Sequence, residues 1–473
     1  MTLRKRLALA ALSGVLTALA FPNASVVALL AVCLVPLAAA LSGLRARAGA
    51  LVAGFYGFVF WVATVPWVAF TVHRFGEVSW ALGAVALFLV ALLLIPPFAL
   101  FGAIVAAVDD ARGPATRLLL WPAAWVLQEA FRTDYYFWGG FPWAYLCYPL
   151  ASSPPLMQSA ALGGAWLTSA LVVAVNVAVF EAVRSRRGVR AAWLGGAVAV
   201  IAGAWLAGAV SMQRLDAPRK AARTLRVGVI QPNVGQETRW TAETRDTIWR
   251  DLLERTRRLV RERHPALVLW PESAAPYSWS FAPAMREELP ALCRELDVAI
   301  LFSTAWSERP EDDDAPYYNA ALLVTKDGPV LPPYLKQHLV PFGEYVPAGK
   351  VLRAIKPISR AVPGGFTPGA AATLIPFGGV TLGGAVCYEV VYPSVARDEA
   401  RGGADLLFTL TNDAWYGSLG AREQHFQAVS FRAVETRLPL VRAAITGISG
   451  LVDAHGRVLA RIGPDVAGSF AAD

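Results

Sequence analysis

Three residues of complementary chemistry follow one another in the second half of this chain: Glu272, Lys336 and Cys387. Glu272 closes Leu267-Val-Leu-Trp-Pro-Glu. Lys336 lies in Tyr334-Leu-Lys-Gln-His-Leu-Val-Pro-Phe-Gly-Glu344, and Cys387 ends Gly384-Ala-Val-Cys. Each comes at the end of an apolar, strand-like run. A thiol becomes a strong nucleophile as the thiolate, which nearby positive charge or a helix N-terminus favours. An apolar neighbourhood tunes a lysine's proton affinity, and a carboxylate at a strand end after Trp-Pro is costly without a partner. Singly, a buried cysteine or a solvated lysine is ordinary. In this order the three can make an acyl-transfer centre.

The elements that must position these groups read as alternating strands and helices over 224–460. Apolar runs at 224–230, 266–270, 298–304 and 405–411 predict strands. The face formed by Ile248, Trp249, Leu252, Leu253, Leu259 and Val260 predicts an amphipathic helix over 243–263. Lys326-Asp-Gly-Pro329, Gly378-Gly379 and Asp453-Ala-His-Gly456 are hairpin signals, so the sheets should be mixed in direction.

The first half is different. Residues 1–211 predict a transmembrane domain of about seven helices, with spans at 7–21, 25–44, 48–70, 79–108, 117–131, 156–183 and 191–211. Pro96-Pro97 should kink the fourth. Residues 1–24 read either as the first span or as a cleaved signal peptide. An N-terminus inside puts eleven basic residues in the inner loops, among them Arg4, Arg45, Arg112 and Arg184. The outer loops then hold two, Arg74 and Arg132. Seven spans would deliver everything beyond 211 to the outer face. Trp and Tyr favour the interface, so the aromatic loop 135–143 is expected there. Residues 212–223 read as a linker, 224–465 as the catalytic domain and 466–473 as a tail. The net charge of +8 belongs largely to the inner loops and gives no ground for nucleic-acid binding. The four cysteines show no CxxC spacing, and no His cluster, phosphate loop or dinucleotide fingerprint appears, so no metal or cofactor is expected.

The motifs Trp-Pro-Glu272, Leu-Lys336-Gln-His-Leu-Val-Pro-Phe-Gly-Glu344 and Val-Cys387-Tyr-Glu389 resemble those of the nitrilase (carbon–nitrogen hydrolase) superfamily. The attached membrane half, with Gln231-Pro-Asn-Val-Gly-Gln-Glu-Thr-Arg-Trp240, Thr411-Asn-Asp-Ala-Trp-Tyr-Gly417 and Gln424-His425, resembles its membrane branch, the apolipoprotein N-acyltransferase family. The resemblance implies a polytopic α-helical membrane domain plus an α/β nitrilase-like α-β-β-α sandwich. It implies a catalytic Glu272–Lys336–Cys387 triad, a phospholipid acyl donor, a diacylglyceryl-apolipoprotein acceptor and the outer face of a bacterial inner membrane. Glu344 is then expected to orient Lys336, while Glu389 and Tyr388 support the cysteine. Trp240, Trp415 and Asn412 are expected at the substrate. The family usually ends in an eighth membrane helix, but residues 451–473 hold no apolar run long enough to span. A membrane-tethered amidase would use the same triad with water as acceptor. A Cys387–His338 hydrolase leaves Glu272 and Lys336 unexplained. A transporter with an outer binding domain would need more charge within its spans.

Overall fold

The computed structural model describes residues 1–134, 139–219, 224–235, 242–312, 314–347 and 365–473. The chain divides into two compact units: Met1–Arg219 with Tyr416–Gln427, and Lys220–Trp415 with Ala428–Asp473.

The first unit is helical: α1 (Leu3–Ala20), α2 (Val35–Leu41), α3 (Ala46–Thr64), α4 (Trp67–Phe75), α5 (Trp80–Leu93), α6 (Ile95–Asp134), α7 (Pro154–Met157), α8 (Ala160–Arg184) and α9 (Arg187–Arg219). Among the described residues, four helical stretches are long and apolar enough to cross a membrane: Ala46–Thr64, Trp80–Val108, Ala160–Arg184 and Arg187–Asp216. Their flanks leave Leu82, Val85, Phe88, Leu89, Val198 and Leu206 exposed, an apolar surface suited to lipid.

Within α6 the backbone leaves helical geometry at Gly113 (φ 75°), just before Pro114. The rings of Phe101 and Trp121 nevertheless lie 5.5 Å apart, and those of Phe98 and Trp125 5.8 Å apart. A straight helix, rising about 1.5 Å per residue, would separate each pair by about 30 Å or more. The chain therefore doubles back, and the stretches expected as spans at 79–108 and 117–131 are separate segments, of which Trp80–Val108 has the length and hydropathy of a span. The kink expected at Pro96-Pro97 falls at Leu94 instead. Both prolines occupy the first turn of α6, where a missing N–H costs no helical bond. The stretch expected as one span at 25–44 is a 3₁₀ turn, Val27–Ala31, followed by the short α2.

The described part of the aromatic loop turns inward, contrary to the interfacial expectation. Trp143 is buried against the rings of Trp67, Tyr416 and His425, and its indole N–H donates to Gln424. The Arg132 guanidinium donates to the carbonyls of Phe141 and Trp143. A buried indole with a hydrogen-bond partner is more stable there than at a surface. Residues 135–138 lie outside the described residues. The linker expected from residue 212 is helical through Arg219.

The second unit holds two six-stranded sheets. One runs β12-β1-β2-β3-β4-β5, the other β11-β10-β9-β8-β7-β6. The first comprises β1 (Val227–Gln231), β2 (Leu267–Leu269), β3 (Ala299–Trp306), β4 (Tyr318–Thr325), β5 (Gly328–Leu335) and β12 (Gly468–Ala472). The second comprises β6 (Ile375–Phe377), β7 (Val380–Val386), β8 (Leu406–Thr411), β9 (Leu440–Ala444), β10 (Ser449–Val452) and β11 (Val458–Ile462). In each sheet three neighbouring strands are parallel, β1–β3 or β7–β9, and the flanks are antiparallel.

Period-two alternation explains the layers. Leu267, Leu269, Leu301, Ala321 and Leu323 point into a core shared with Leu382, Val386, Phe408, Leu410 and Val441 of the other sheet. Their neighbours Val268, Ile300, Phe302, Leu322 and Val324 point the other way, onto α10 (Ala242–Arg263) and α11 (Pro283–Leu296). Both faces are covered, which is why these strands read as continuous apolar runs. Two further helices, α12 (Pro393–Gly402) and α13 (Ala421–Thr436), follow β7 and β8. The expected α-β-β-α sandwich is borne out. Residues 466–473, read as a tail, instead supply β12. It pairs antiparallel with β1, placing Phe470 opposite Val229 at the edge of the inter-sheet core.

Candidate active site

The chemistry-bearing residues stand where strands end. β5 carries Pro332 and Pro333, which an edge position permits because their missing N–H groups break no central ladder. Its last residue is Leu335. The Lys336 N–H donates to the Asn319 carbonyl at 2.9 Å, so the lysine is delivered beside β4. Glu272 follows β2 through Trp270-Pro271, and Ser273 after it takes a positive φ of 56°. Cys387 directly follows β7, begins a 3₁₀ turn (Cys387–Val391) and has φ 57°. A non-glycine residue in the left-handed region stores backbone strain, of order 1–3 kcal/mol, held by its surroundings.

Glu389 does much of that holding. Its Oε2 accepts the Val386 N–H at 2.7 Å and the Tyr334 hydroxyl at 2.9 Å. Its Oε1 accepts the N–H groups of Gln337 and His338 at 2.6 and 3.0 Å. One carboxylate thus ties the cysteine's turn to the chain carrying Lys336. Burial pushes its pKa up to about 7, opposed by Lys336 and by the three amides.

Lys336 is buried, with Nζ 2.8 Å from Glu344 Oε1 and 3.6 Å from Glu272 Oε1. Burial works against its charge, but Glu344 and then Glu272 outweigh it, and the ammonium is held more strongly than in water. Asn319 joins the carboxylates by donating to Glu272 Oε1 at 2.9 Å and to Glu344 Oε1 at 2.8 Å. Glu272 Oε2 accepts the backbone N–H of Asn412 at 3.0 Å, and Glu344 Oε2 that of Val340 at 2.8 Å. The Cys387 thiol is buried. Burial raises its pKa and Glu272 raises it further, while Lys336 draws it down. The resting sulfur is therefore protonated, with a carboxylate and an ammonium both within electrostatic reach.

Glu272, Lys336, Glu344, Cys387 and Glu389 thus come together. Tyr388 is buried with its ring edge-on to Tyr392. Asn412 serves Glu272 through its backbone, and Trp415 lies partly exposed on the loop after β8. Trp240 lies outside the described residues. His338 stacks on Tyr392 at 4.1 Å, and burial lowers its pKa. Asn319, Thr411, Asp413 and Arg442 were assigned no role from sequence. Of these, Thr411 and Asp413 fall within the Thr411-Asn-Asp motif.

Two stacked mixed sheets with these groups at their strand ends define a carbon–nitrogen hydrolase domain, and residues 226–471 match the Carbon-nitrogen hydrolase family. Residues 13–178 match the Apolipoprotein N-acyltransferase N-terminal domain. The chain is similar to apolipoprotein N-acyltransferase from Geobacter metallireducens, with 32% identity over 96% of this chain and 86% of that one. The Methylococcus capsulatus relative of that name is 32% identical over 86% and 79%. Among solved structures, an amidase from Nesterenkonia sp. AN1 is similar over 53% of this chain and 93% of its own, with 21% identity and a TM-score of 0.39. The chain belongs to the apolipoprotein N-acyltransferase family.

Proposed function

We propose that this chain moves a fatty acyl group from a membrane phospholipid, through a Cys387 thioester, to the α-amine of an N-terminal S-diacylglyceryl cysteine on apolipoproteins. The observation that carries this reading is Lys336, buried between Glu272 and Glu344 and electrostatically coupled to the Cys387 thiol. Family membership supports the substrates. The apolar helical unit supports a lipid setting, and the charge bias of its loops supports a catalytic unit on the outer face of a bacterial inner membrane.

In the first half-reaction Glu272 takes the thiol proton as sulfur attacks the ester carbonyl carbon. The carbonyl electrons move to oxygen, and the Lys336 ammonium donates a hydrogen bond to the developing oxyanion. Collapse breaks the ester C–O bond, and the departing lysophospholipid oxygen takes the proton from Glu272. In the second, the acceptor amine attacks the thioester carbon and Glu272 takes the amine proton. Collapse then breaks the C–S bond, and the proton returns to sulfur. Glu344 keeps Lys336 charged and aimed throughout.

Intact-protein mass spectrometry after incubation with phospholipid tests the reading. One added acyl group, removed by hydroxylamine and missing in Cys387→Ser, is expected. Turnover of small amides with no acyl adduct from phospholipid would instead mark a membrane-tethered amidase.

A further inference from the structure

The Thr411 hydroxyl links Cys387 to a buried ion pair. Thr411 ends β8 with Oγ1 3.4 Å from Cys387 Sγ and 3.0 Å from Asp413 Oδ1. The other Asp413 oxygen lies 2.7 Å from Arg442 Nη2, and both of these side chains are fully buried. Arg442 is anchored through Nε, which donates to the Ile448 carbonyl at 3.0 Å. Gly447 leaves the space that Asp413 fills, because a Cβ there would overlap its carboxylate.

A threonine hydroxyl carries one proton and two lone pairs. An ionised acceptor holds such a proton more strongly than a neutral thiol does. In the resting site the hydroxyl therefore donates to Asp413 and turns a lone pair toward the sulfur. Once sulfur becomes an anion, the two acceptors compete. Arg442 already neutralises Asp413, which weakens its hold.

We propose that Thr411 is a positioning residue whose hydroxyl turns from Asp413 to the Cys387 sulfur as the thiol loses its proton. The thiol proton goes to Glu272; Thr411 keeps its own and changes only its partner. Arg442 permits the exchange by keeping Asp413 compensated when the hydroxyl leaves. After burial, the charges of Glu272 and Lys336 act most on the thiol; beyond them, Asp413 disfavours the thiolate and the Thr411 hydrogen bond favours it. Substitutions at the two positions should therefore act in opposite directions, which a purely structural role does not require.

The proposal rests on Cys387 as the nucleophile, but its test needs no acyl transfer. The test is the pH dependence of iodoacetamide alkylation at Cys387 in the full-length protein, followed by mass spectrometry of the peptide containing it. Thr411→Val should move the inflection upward by about one pH unit, a roughly tenfold slower reaction at a fixed lower pH. Thr411→Ser should restore it. Asp413→Asn should move it down, because the freed hydroxyl donates to sulfur. A Thr411→Val profile that superimposes on the wild type overturns the proposal, as does failure of Thr411→Ser to rescue or an upward shift in Asp413→Asn. Where Asp413→Asn does not fold, the Val and Ser pair decides. Acyl transfer by Cys387→Ala would overturn the nucleophile assignment separately, and the alkylation profiles would still judge the change of partner at Thr411.

Discussion

The Lys336 ammonium is bonded to the Glu344 carboxylate at 2.8 Å, a shorter contact than the 3.6 Å that separates it from Glu272. The two carboxylates are thus unequal partners of the lysine, although Asn319 binds both, and the proposed mechanism gives the proton transfers to Glu272. Glu272→Gln removes a proton acceptor and should abolish single-turnover acylation from phospholipid. Glu344→Gln keeps the shape but loses the charge that sustains the ammonium. It should slow acylation by roughly a hundredfold, the scale of losing one oxyanion donor. Its alkaline limb should also move to lower pH, because Lys336 then gives up its proton more readily. Normal acylation by Glu272→Gln alongside a dead Glu344→Gln would reverse the assignment.

All four cysteines are buried, and Cys387 lies within electrostatic reach of a carboxylate and an ammonium. Cys33→Ala, Cys147→Ala and Cys293→Ala should retain N-acylation of a diacylglyceryl peptide. Cys387→Ala should reduce it to background. Measurable turnover by the purified Cys387→Ala protein would end the thioester mechanism.

Stability should respond to Glu399 on α12. Its side chain is buried against Gly383, next to Glu389 in the electrostatics of the site. Burial, and then Glu389, raise its pKa from 4.5 to about 8. Between those values the folded state keeps a proton that the unfolded state has lost, so stability falls as pH rises through that window and levels off above it. Glu399→Gln removes this dependence. The melting temperature of the variant minus that of the wild type should grow from about pH 4.5 to about pH 8. A constant difference across that range would show that Glu399 is not protonated in the folded protein.

Asp327 sits exposed in the turn between β4 and β5, well away from the site's hydrogen bonds. With the catalytic unit on the outer face, Asp327→Cys should react with a membrane-impermeant maleimide in intact spheroplasts. Labelling only after lysis would place the unit inside and overturn the topology read from the basic loops.

Local signals carried much of this protein. Hydropathy and charge are sums over neighbouring residues, so the apolar passes, the amphipathic α10 and the strands that end at Glu272, Lys336 and Cys387 are legible in sequence order. So are the turns at Asp327-Gly328 and Gly378-Gly379, where the hairpins form. What no local pattern contains is who meets whom across the chain. β12 closes the first sheet against β1, about 240 residues away, because an edge strand needs a hydrogen-bonding partner and either flank of the chain can supply one. Asn319 joins the two glutamates only because the β4–β5 register sets it beside Lys336. Thr411 meets Cys387 because β7 and β8 run parallel and in register, so both strands end at one level. Trp143 turns inward because Gln424, from a distant segment, accepts its N–H. Composition and periodicity are properties of segments. Hydrogen-bond satisfaction and buried charge are properties of the assembled neighbourhood, and tertiary structure alone decides them.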